Sequence, residues 1–118
     1  MLSYKHGFHA GNHADVLKHI VLIYLYNLVK KHNKSISYID THSGNGKYSY
    51  ISRYMEKNKE YKLGIKKIEE YKGENKLIKN YLKIIRIITK NNNFYPGSPF
   101  IISNISENID KLYFCELH

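Results

Sequence analysis

A short apolar segment that ends in an acid and two glycines constrains the fold of this chain more than any other feature. In the stretch SISYIDTHSGNGKY, residues 35–48, a strand that is apolar on both faces leads into Asp40 and then into the turn SGNG, residues 43–46. Strands of that kind are typical of parallel sheets that are covered on both sides. A glycine turn after such a strand brings bare backbone close to a nucleotide-like ligand. The segment therefore indicates an α/β fold with a nucleotide site at the end of this strand.

A second acid follows another predicted strand. In KLYFCELH, residues 111–118, Glu116 stands after the apolar residues as Asp40 does in the first strand. An acid at the next strand end accepts hydrogen bonds from ribose hydroxyls in nucleotide-binding folds, usually about 20 residues after the glycines. Here the two acids are 76 residues apart, so residues 52–91 would have to be an insertion. In the alternative, Asp40 caps a turn and Glu116 is merely exposed.

The clearest helix precedes the first strand. It is predicted to open at Asn12 or His13 and to run to about Lys31, with Asp15 in its first turn and basic residues in its last turn to complement the helix dipole. The preceding residues 1–12 are predicted to form an extended arm. Apolar residues at helical spacing predict the core face of the helix: Leu17, Ile20, Val21, Tyr24, Leu25 and Leu28.

The rest of the chain alternates helices with the second strand. Residues 52–91 carry helical spacing on both sides of Gly73, and the asparagine run and prolines of NNNFYPGSP end that block. A short helix is predicted over residues 99–105. This order indicates an α/β arrangement with an inserted helical segment. Since two parallel strands are rarely stable without neighbours, we expect the first half of a larger doubly wound domain.

The strongly basic composition points to a polyanionic partner. A formal net charge of +9 and a pI near 9.5 suit RNA, because each neutralised phosphate releases counterions. Scattered lysines also simply solvate a surface, so a non-catalytic basic RNA-binding module stays open beside a nucleotide-binding enzyme. A P-loop hydrolase is disfavoured, because SGNGKY lacks the required glycine and lysine spacing.

Targeting features point to the cytoplasm. The single cysteine, Cys115, lies in an apolar run, which predicts a buried and unreactive thiol in a reducing compartment. The N-terminal MLSYKHGFHAG has no apolar core of a signal peptide, and IVLIYLYNLV is shorter than the roughly 20 residues that span a bilayer. We therefore expect a cytoplasmic protein with no membrane association.

Histidines are concentrated before the first strand. A metal site at His9 and His13 would require a helix across Gly11, and no acid or thiol lies nearby at ligand spacing, so no metal is expected. Four residues of the arm instead suit stacking on a base and hydrogen bonding to its edge, namely Tyr4, His6, Phe8 and His9. Packing of the arm on the domain is the alternative.

Four strings resemble a known family in order and spacing. MLSYKHGFHAGNHADVLKH, YIDTHSGNGKY, FYPGSP and ELH closely resemble the N-terminal part of the bacterial 23S ribosomal RNA adenine-N6 methyltransferases, which use S-adenosylmethionine. The resemblance covers essentially the whole chain and is weakest over residues 52–91. It implies a partial Rossmann-like methyltransferase core, formed by the first two parallel strands, with an N-terminal helix and an inserted helical subdomain at 52–91. Residues 1–118 would then be the N-terminal portion of a methyltransferase domain.

The same resemblance implies two sets of site residues. The residues that would contact S-adenosylmethionine are His19, His42, Ser98 and Glu116, because each falls inside a matching string. The residues that would face the substrate adenosine and its 23S ribosomal RNA are Tyr4, His6 and Lys18.

The chain departs from the family pattern at the catalytic motif. Amino-methyltransferases of this type carry Asp-Pro-Pro followed by an aromatic residue, which orient the target amine and stack on the flipped base. This chain has only Pro96 and Pro99, so no catalytic residue is assigned. We therefore expect a fragment that is inactive alone. An unpaired apolar strand edge would lead it to self-associate or to bind a companion C-terminal chain.

Overall fold

The computed structural model of the chain describes residues 5–116. Within that range, three short 3₁₀ or α turns accompany longer helices and two small sheets. In chain order, the helices and strands are a 3₁₀ turn (His6–Phe8), α1 (His13–Lys31), β1 (Ser37–Asp40), β2 (Lys47–Ser49), α2 (Arg53–Asn58), a 3₁₀ turn (Glu60–Leu63), α3 (Ile65–Ile68), α4 (Lys76–Thr89), β3 (Phe94–Pro96), α5 (Ser98–Ile105) and β4 (Lys111–Phe114).

Helix α1 begins and ends where the sequence predicts. The side chain of Asn12 accepts a hydrogen bond from the Asp15 N–H at 2.8 Å, which caps the first turn. The predicted extended arm, by contrast, is wrong for residues 6–8. The N–H groups of His9 and Ala10 both donate to the His6 carbonyl at 2.8 Å, and these bonds close a 3₁₀ turn.

The predicted core face of α1 is wrong. Five of the six predicted residues are 44–62% exposed: Leu17, Val21, Tyr24, Leu25 and Leu28. The residues that α1 buries are Asp15, Val16, His19, Ile23 and Tyr26. The helix is apolar around much of its circumference, and its contacts with α4 and α5 decide which side is covered. Among residues 5–116, no helix is long and apolar enough to cross a membrane.

The predicted pair of parallel strands is confirmed. Strand β1 pairs in parallel with β4, with Ser37 opposite Lys111 and Asp40 opposite Phe114. Asp110 fixes the start of this pair. Its Oδ1 accepts a hydrogen bond from the Ile36 N–H at 2.8 Å and another from Nζ of Lys30 in α1 at 2.6 Å. The carboxyl ends of both strands therefore meet at one edge of the sheet.

The β1–β4 sheet leaves apolar side chains uncovered by residues 5–116. Ile39 is 65% exposed and Tyr113 is 50% exposed. Cys115 is also exposed, so the prediction of a buried thiol is wrong. The apolar run around it lies on an open face of β4 and not in the core. The strands thus have the composition of buried strands without the covering layers that such strands usually have.

A second sheet was missed by the sequence analysis. Strand β2 pairs antiparallel with β3, with Lys47 opposite Pro96 and Tyr48 opposite Tyr95. The sequence predicts neither strand, because SGNGKYSY has the residues of a loop and NNNFYPGSP marks only the end of the helical block. Burial of the paired tyrosines, which are 6% and 0% exposed, stabilises three-residue strands that no local pattern announces.

The core lies between the helices and the β2–β3 sheet and is rich in tyrosine and isoleucine. The helical segments predicted on both sides of Gly73 are confirmed as α3 and α4, and Asn75 caps α4 by accepting from the Leu77 and Ile78 N–H groups. The largest fully buried side chains are Tyr81, Tyr95, Met55, Ile65, Ile101, Ile102, His19 and Pro96. The helices and the β2–β3 sheet therefore share one packed core.

Candidate functional site

The loop after β1 exposes bare backbone at the carboxyl edge of the sheet. Gly44 and Gly46 have φ angles of +72° and +73°, in the left-handed region that favours glycine. A Cβ atom on Gly44 would lie 2.5 Å from the Tyr48 hydroxyl, closer than real contacts allow. The turn therefore requires glycine for both its conformation and its packing.

Asp40 holds this loop in place. Its Oδ1 accepts from the His42 N–H at 3.0 Å, and its Oδ2 accepts from the Ser98 hydroxyl at 3.0 Å and from the Tyr38 hydroxyl at 3.2 Å. Burial, together with the charge and hydrogen bond of Asp40, raises the pKa of Tyr38 to about 12. The turn-capping alternative for Asp40 is therefore realised in the structure, and the same bonds connect β1 to the start of α5.

Glu116 lies beside the glycine turn. The Ser43 N–H and hydroxyl both donate to the Cys115 carbonyl at 3.1 Å, which ties the loop to the end of β4. The Oε2 atom of Glu116 is 3.9 Å from the position that a Cβ on Gly44 would take. Glu116 is an exposed residue, and its side chain lies next to this bare backbone.

Three of the four residues implied to bind the cofactor surround this loop. His42 is exposed, and its Nδ1 lies 2.9 Å from the Thr41 hydroxyl. Ser98 is the first residue of α5, one position earlier than the predicted helix start, and its hydroxyl also lies 3.4 Å from the Ser43 carbonyl. With Glu116, these residues form one polar edge around the glycine turn.

The fourth residue, His19, is buried. It is 2% exposed, its Nδ1 lies 2.8 Å from the Tyr95 hydroxyl, and its Nε2 lies 3.6 Å from Oδ1 of Asp15. Burial lowers the pKa of His19 from 6.5 to about 4, although the Asp15 charge opposes the shift. The imidazole is therefore neutral at pH 7. When Nε2 carries the proton, the unprotonated Nδ1 accepts a hydrogen bond from the Tyr95 hydroxyl.

Asp15 brings the N-terminal arm and α1 together. Its Oδ2 accepts from the Gly11 N–H at 2.9 Å, and its Oδ1 lies 3.2 Å from Nε2 of His6 and 3.6 Å from Nζ of Lys18. Burial alone would raise the pKa of Asp15, but the hydrogen bond from His6 and the charge that His19 carries at the low pH where Asp15 titrates hold it below its ordinary value. The residues implied to face RNA, His6 and Lys18, thus meet at one buried carboxylate. The third, Tyr4, lies outside the described residues.

The sequence predicts only a helix-dipole role for Asp15, and it predicts no role in the site for Tyr48 or Tyr95. The spacing of three and four residues from Asp15 to Lys18 and His19 was the pattern that could have revealed this cluster. Tyr48 and Tyr95 lie inside matching strings, which flagged their segments but not their roles. Tyr48 connects the N-terminal arm with the glycine turn. Its ring meets that of His6 edge to face at 5.5 Å, and its hydroxyl accepts from a loop N–H at 3.1 Å.

Other features of the described chain lie apart from this edge. Between residues 5 and 116, no group of three or more His, Cys, Asp or Glu side chains is arranged to hold a metal ion. A cleft of about 530 Å³ opens beside α4, where Tyr50, Lys66, Glu69 and Arg86 contribute to its walls. None of the residues implied by the resemblance that lie within 5–116 lines that cleft.

Comparisons with known proteins agree on one family. The RsmJ family model, described as "Ribosomal RNA large subunit methyltransferase D, RlmJ", matches residues 33–118. Two curated relatives are both named "Ribosomal RNA large subunit methyltransferase J". That of Haemophilus influenzae (strain Rd) is 43% identical over 121 residues, and that of Escherichia coli (strain K12) is 38% identical over 120 residues. Each alignment covers 100% of this chain and 43% of the relative.

A solved structure supports the same relationship. The crystal structure of a Legionella pneumophila protein of the DUF519 family superposes with a TM-score of 0.81 at 38% sequence identity. The superposition covers 92% of this chain and 40% of that chain. The chain therefore spans less than half the length of the relatives that it matches.

Proposed function

The chain belongs to the ribosomal RNA large subunit methyltransferase J family, and we propose that it holds S-adenosylmethionine for adenine-N6 methylation of 23S ribosomal RNA. Membership confirms the family resemblance found in the sequence. One observation carries the proposal for the cofactor: Gly44 and Gly46 adopt left-handed backbone beside Glu116, where two parallel strands end. Ligands of open α/β sheets bind outside the carboxyl ends of their strands.

The residues around the loop fit the chemical groups of this cofactor. The carboxylate of Glu116 suits the ribose hydroxyls, and the glycine turn allows close approach of the nucleoside to backbone. His42 and Ser98 offer polar atoms for the charged amino-acid end of the molecule. When bound, S-adenosylmethionine supplies a methyl group carried on a positively charged sulfur.

His19 fits less directly. Its ring nitrogens face Tyr95 and Asp15, and only 2% of the residue is exposed, so contact with the cofactor requires a neighbouring side chain to move. We retain His19 in the proposed cofactor set because it stands inside the longest matching string. In the described arrangement it contacts Tyr95, which lies opposite Tyr48 in the β2–β3 sheet.

For the RNA, we propose that the N-terminal arm and the first turns of α1 face the target adenosine. His6 and Lys18 converge on Asp15, and Lys18 keeps 67% of its side chain exposed. The formal charge of +9 favours a polyanion. Tyr4, outside the described residues, completes the proposed set.

We also propose that the fold is a partial Rossmann-like core with residues 52–91 as an inserted helical subdomain. The parallel β1–β4 pair would be the core, with α1 as its N-terminal helix. The antiparallel pair β2–β3 lies on both sides of residues 52–91, so the chain leaves and re-enters the core at adjacent points. This arrangement explains how two strand ends 76 residues apart form one edge.

Methyl transfer is proposed to require residues that these 118 do not include. The sequence has no Asp-Pro-Pro segment, so nothing in it matches the group that orients an adenine amine in such enzymes. We propose that the chain alone binds cofactor and RNA without transferring methyl. A companion chain, or self-association, would act through the uncovered strand face.

A non-catalytic RNA-binding module is the second candidate. The hydrogen bond from Ser98 to Asp40 favours it, because this bond satisfies two polar groups of the edge without a ligand. Under this reading the glycine loop is only a structural turn and the basic charge of the chain carries the function.

Calorimetric titration with S-adenosylhomocysteine separates the two candidates. Binding to the chain, weakened about 10- to 100-fold in Glu116→Ala, is expected if the carboxylate holds the ribose, since hydrogen bonds to charged groups contribute about 1.5–3 kcal/mol. Glu70→Ala, which removes an exposed acid far along the sequence, is the matched control and should bind as the parent does.

Two outcomes would contradict the proposal. Absence of cofactor binding, combined with salt-dependent RNA affinity, would support the module instead. Transfer of labelled methyl to unmodified large-subunit RNA by the chain alone would show that an Asp-Pro-Pro segment is dispensable.

A further inference from the structure

Cations and aromatic rings alternate on a surface that lies outside the proposed cofactor edge. The rings of Phe8 and Tyr54 meet edge to face with centroids 4.9 Å apart. Nζ of Lys57 lies 5.3 Å from the Phe8 centroid, while Nζ of Lys5 and Cζ of Arg53 lie 5.7 Å and 5.9 Å from the Tyr54 centroid. These five residues are here called the Phe8–Tyr54 surface.

The backbone builds this surface. A Cβ on Gly7 would lie 2.8 Å from Cβ of Tyr54, so the arm reaches α2 only because residue 7 has no side chain. The 3₁₀ turn His6–Phe8 places Phe8 against α2, and the Ser52 hydroxyl caps that helix by accepting from the Met55 N–H at 3.2 Å. The arm and α2 are thus in direct contact.

The surface carries uncompensated positive charge. Lys5, Arg53 and Lys57 are exposed, and none of them forms an ion pair within residues 5–116. The nearest acids along the chain have other partners. Glu56 pairs with Lys59 at 3.5 Å, and Glu60 accepts from the arm side chains of His9 and Asn12.

Alternating rings and cations fit a single-stranded nucleic acid. Bases stack on aromatic rings at about 1–3 kcal/mol each, and phosphates between them need cations at intervals. The rings are half-buried and pack edge to face against each other, unlike side chains that insert into a membrane. An acidic peptide would use the cations but leave the rings without partners.

We propose that the Phe8–Tyr54 surface binds single-stranded RNA beside the target adenosine. The inference rests on the proposed function for its RNA partner and for the arm, and it adds α2 to the surface that RNA contacts. His6 and Phe8 share one 3₁₀ turn, so a strand whose adenosine faces His6 reaches the surface within a nucleotide or two. Bases stack on Phe8 and Tyr54 while phosphates contact the three cations.

Fluorescence anisotropy with a labelled ten-nucleotide RNA at several salt concentrations tests this location. Tyr54→Leu keeps the bulk of the side chain and is expected to weaken binding about tenfold through lost stacking. The double variant Arg53→Gln/Lys57→Gln is expected to lower the slope of log affinity against log salt by about 1.4, because each contact on a single strand contributes about 0.7. Circular dichroism confirms that each variant folds.

The matched control removes the same two charges elsewhere. Lys83→Gln/Arg86→Gln changes exposed residues of α4 and should retain the parent slope. If this control weakens binding as much as Arg53→Gln/Lys57→Gln does, RNA binds by overall charge and the proposal is wrong. It is equally wrong if anionic phospholipid vesicles or a poly-glutamate peptide, and not RNA, show the dependence on Tyr54.

The proposed function fails by a different readout. S-adenosylhomocysteine titration reports on the glycine loop, which none of these variants touches. If the chain binds the cofactor and all variants bind RNA equally well, the proposed cofactor site is supported and the proposal for the Phe8–Tyr54 surface is wrong.

Discussion

Isoleucine is buried in the helical region of the molecule and exposed in the parallel-strand region. Ile65, in α3, is completely buried, whereas Ile39, in β1, is 65% exposed. Both stand in apolar stretches that predict burial. The helical region covers its own apolar side chains with tyrosines and isoleucines of the same chain, while the strand region leaves one face open within residues 5–116. Burial is thus decided by which neighbours the fold supplies.

Helix α1 shows both kinds of surface. Its inner side buries Val16 and Ile23 against the helical core, and its outer side leaves Leu17 and Leu25 at 62% and 49% exposure. One helix therefore contains a packed interface and an open apolar face. The difference makes α1 the natural place to test whether the two regions are energetically distinct.

The largest expected effect comes from cutting the same side chain in each region. Ile65→Ala should lower the free energy of unfolding by about 2–5 kcal/mol, because it leaves a cavity among fully buried residues. Ile39→Ala should change it by less than about 0.5 kcal/mol, because the side chain is mostly in water. Urea unfolding followed by circular dichroism measures both.

Equal losses in the two variants would break the comparison. A loss of several kcal/mol in Ile39→Ala would show that β1 is covered in solution. A dependence of that loss on protein concentration would identify a second copy as the cover.

The sequence predicted those parts of the fold that depend on local chemistry. The start of α1 follows from the cap at Asn12, and the parallel strands follow from apolar runs that end in acids. Strands β2 and β3 could not be predicted, because Gly46 and Pro96 have the local character of a loop and the pairing arises only when Tyr48 meets Tyr95. The buried face of α1 was ambiguous because apolar residues occur on both faces.

The candidate site divides in the same way. The glycine turn at 43–46 could be read from its residues, and matching strings pointed to His42, Ser98 and Glu116, which the fold brings around it. The burial of His19 could not be read, since it depends on Tyr95, which is distant in the sequence.

His19 provides the next test, because it lies in the packed region against Tyr95. Its folded pKa of about 4 is below the ordinary 6.5, so between these values the unfolded chain binds a proton that the folded chain does not. The neutral His19 therefore contributes to the free energy of unfolding above pH 6.5, and this contribution is lost as the pH falls to 4. The expected loss is about 3 kcal/mol, measured by urea unfolding across that range.

Two variants make the assignment specific. His19→Asn keeps an acceptor near the Tyr95 hydroxyl but cannot titrate, so it should remove most of this dependence on pH. His32→Gln, which changes an exposed imidazole after the end of α1, should leave it in place. If both variants retain the parent dependence, His19 is not the group that titrates.

The smallest expected effect on stability is on the open face of α1. Leu25→Gln exchanges residues of similar helix propensity at a position that is 49% exposed, so the free energy of unfolding should change by less than about 0.5 kcal/mol. Its inward neighbour gives the contrast: Ile23→Gln buries an amide at a 3% exposed position and should cost several times more. Fluorescence of the dye ANS, which binds exposed apolar surface, should fall in Leu25→Gln, since the dye needs that surface. If Leu25→Gln left dye binding unchanged and greatly lowered the free energy of unfolding, the outer side of α1 would be packed in solution. The open apolar face would then be limited to the β1–β4 strands.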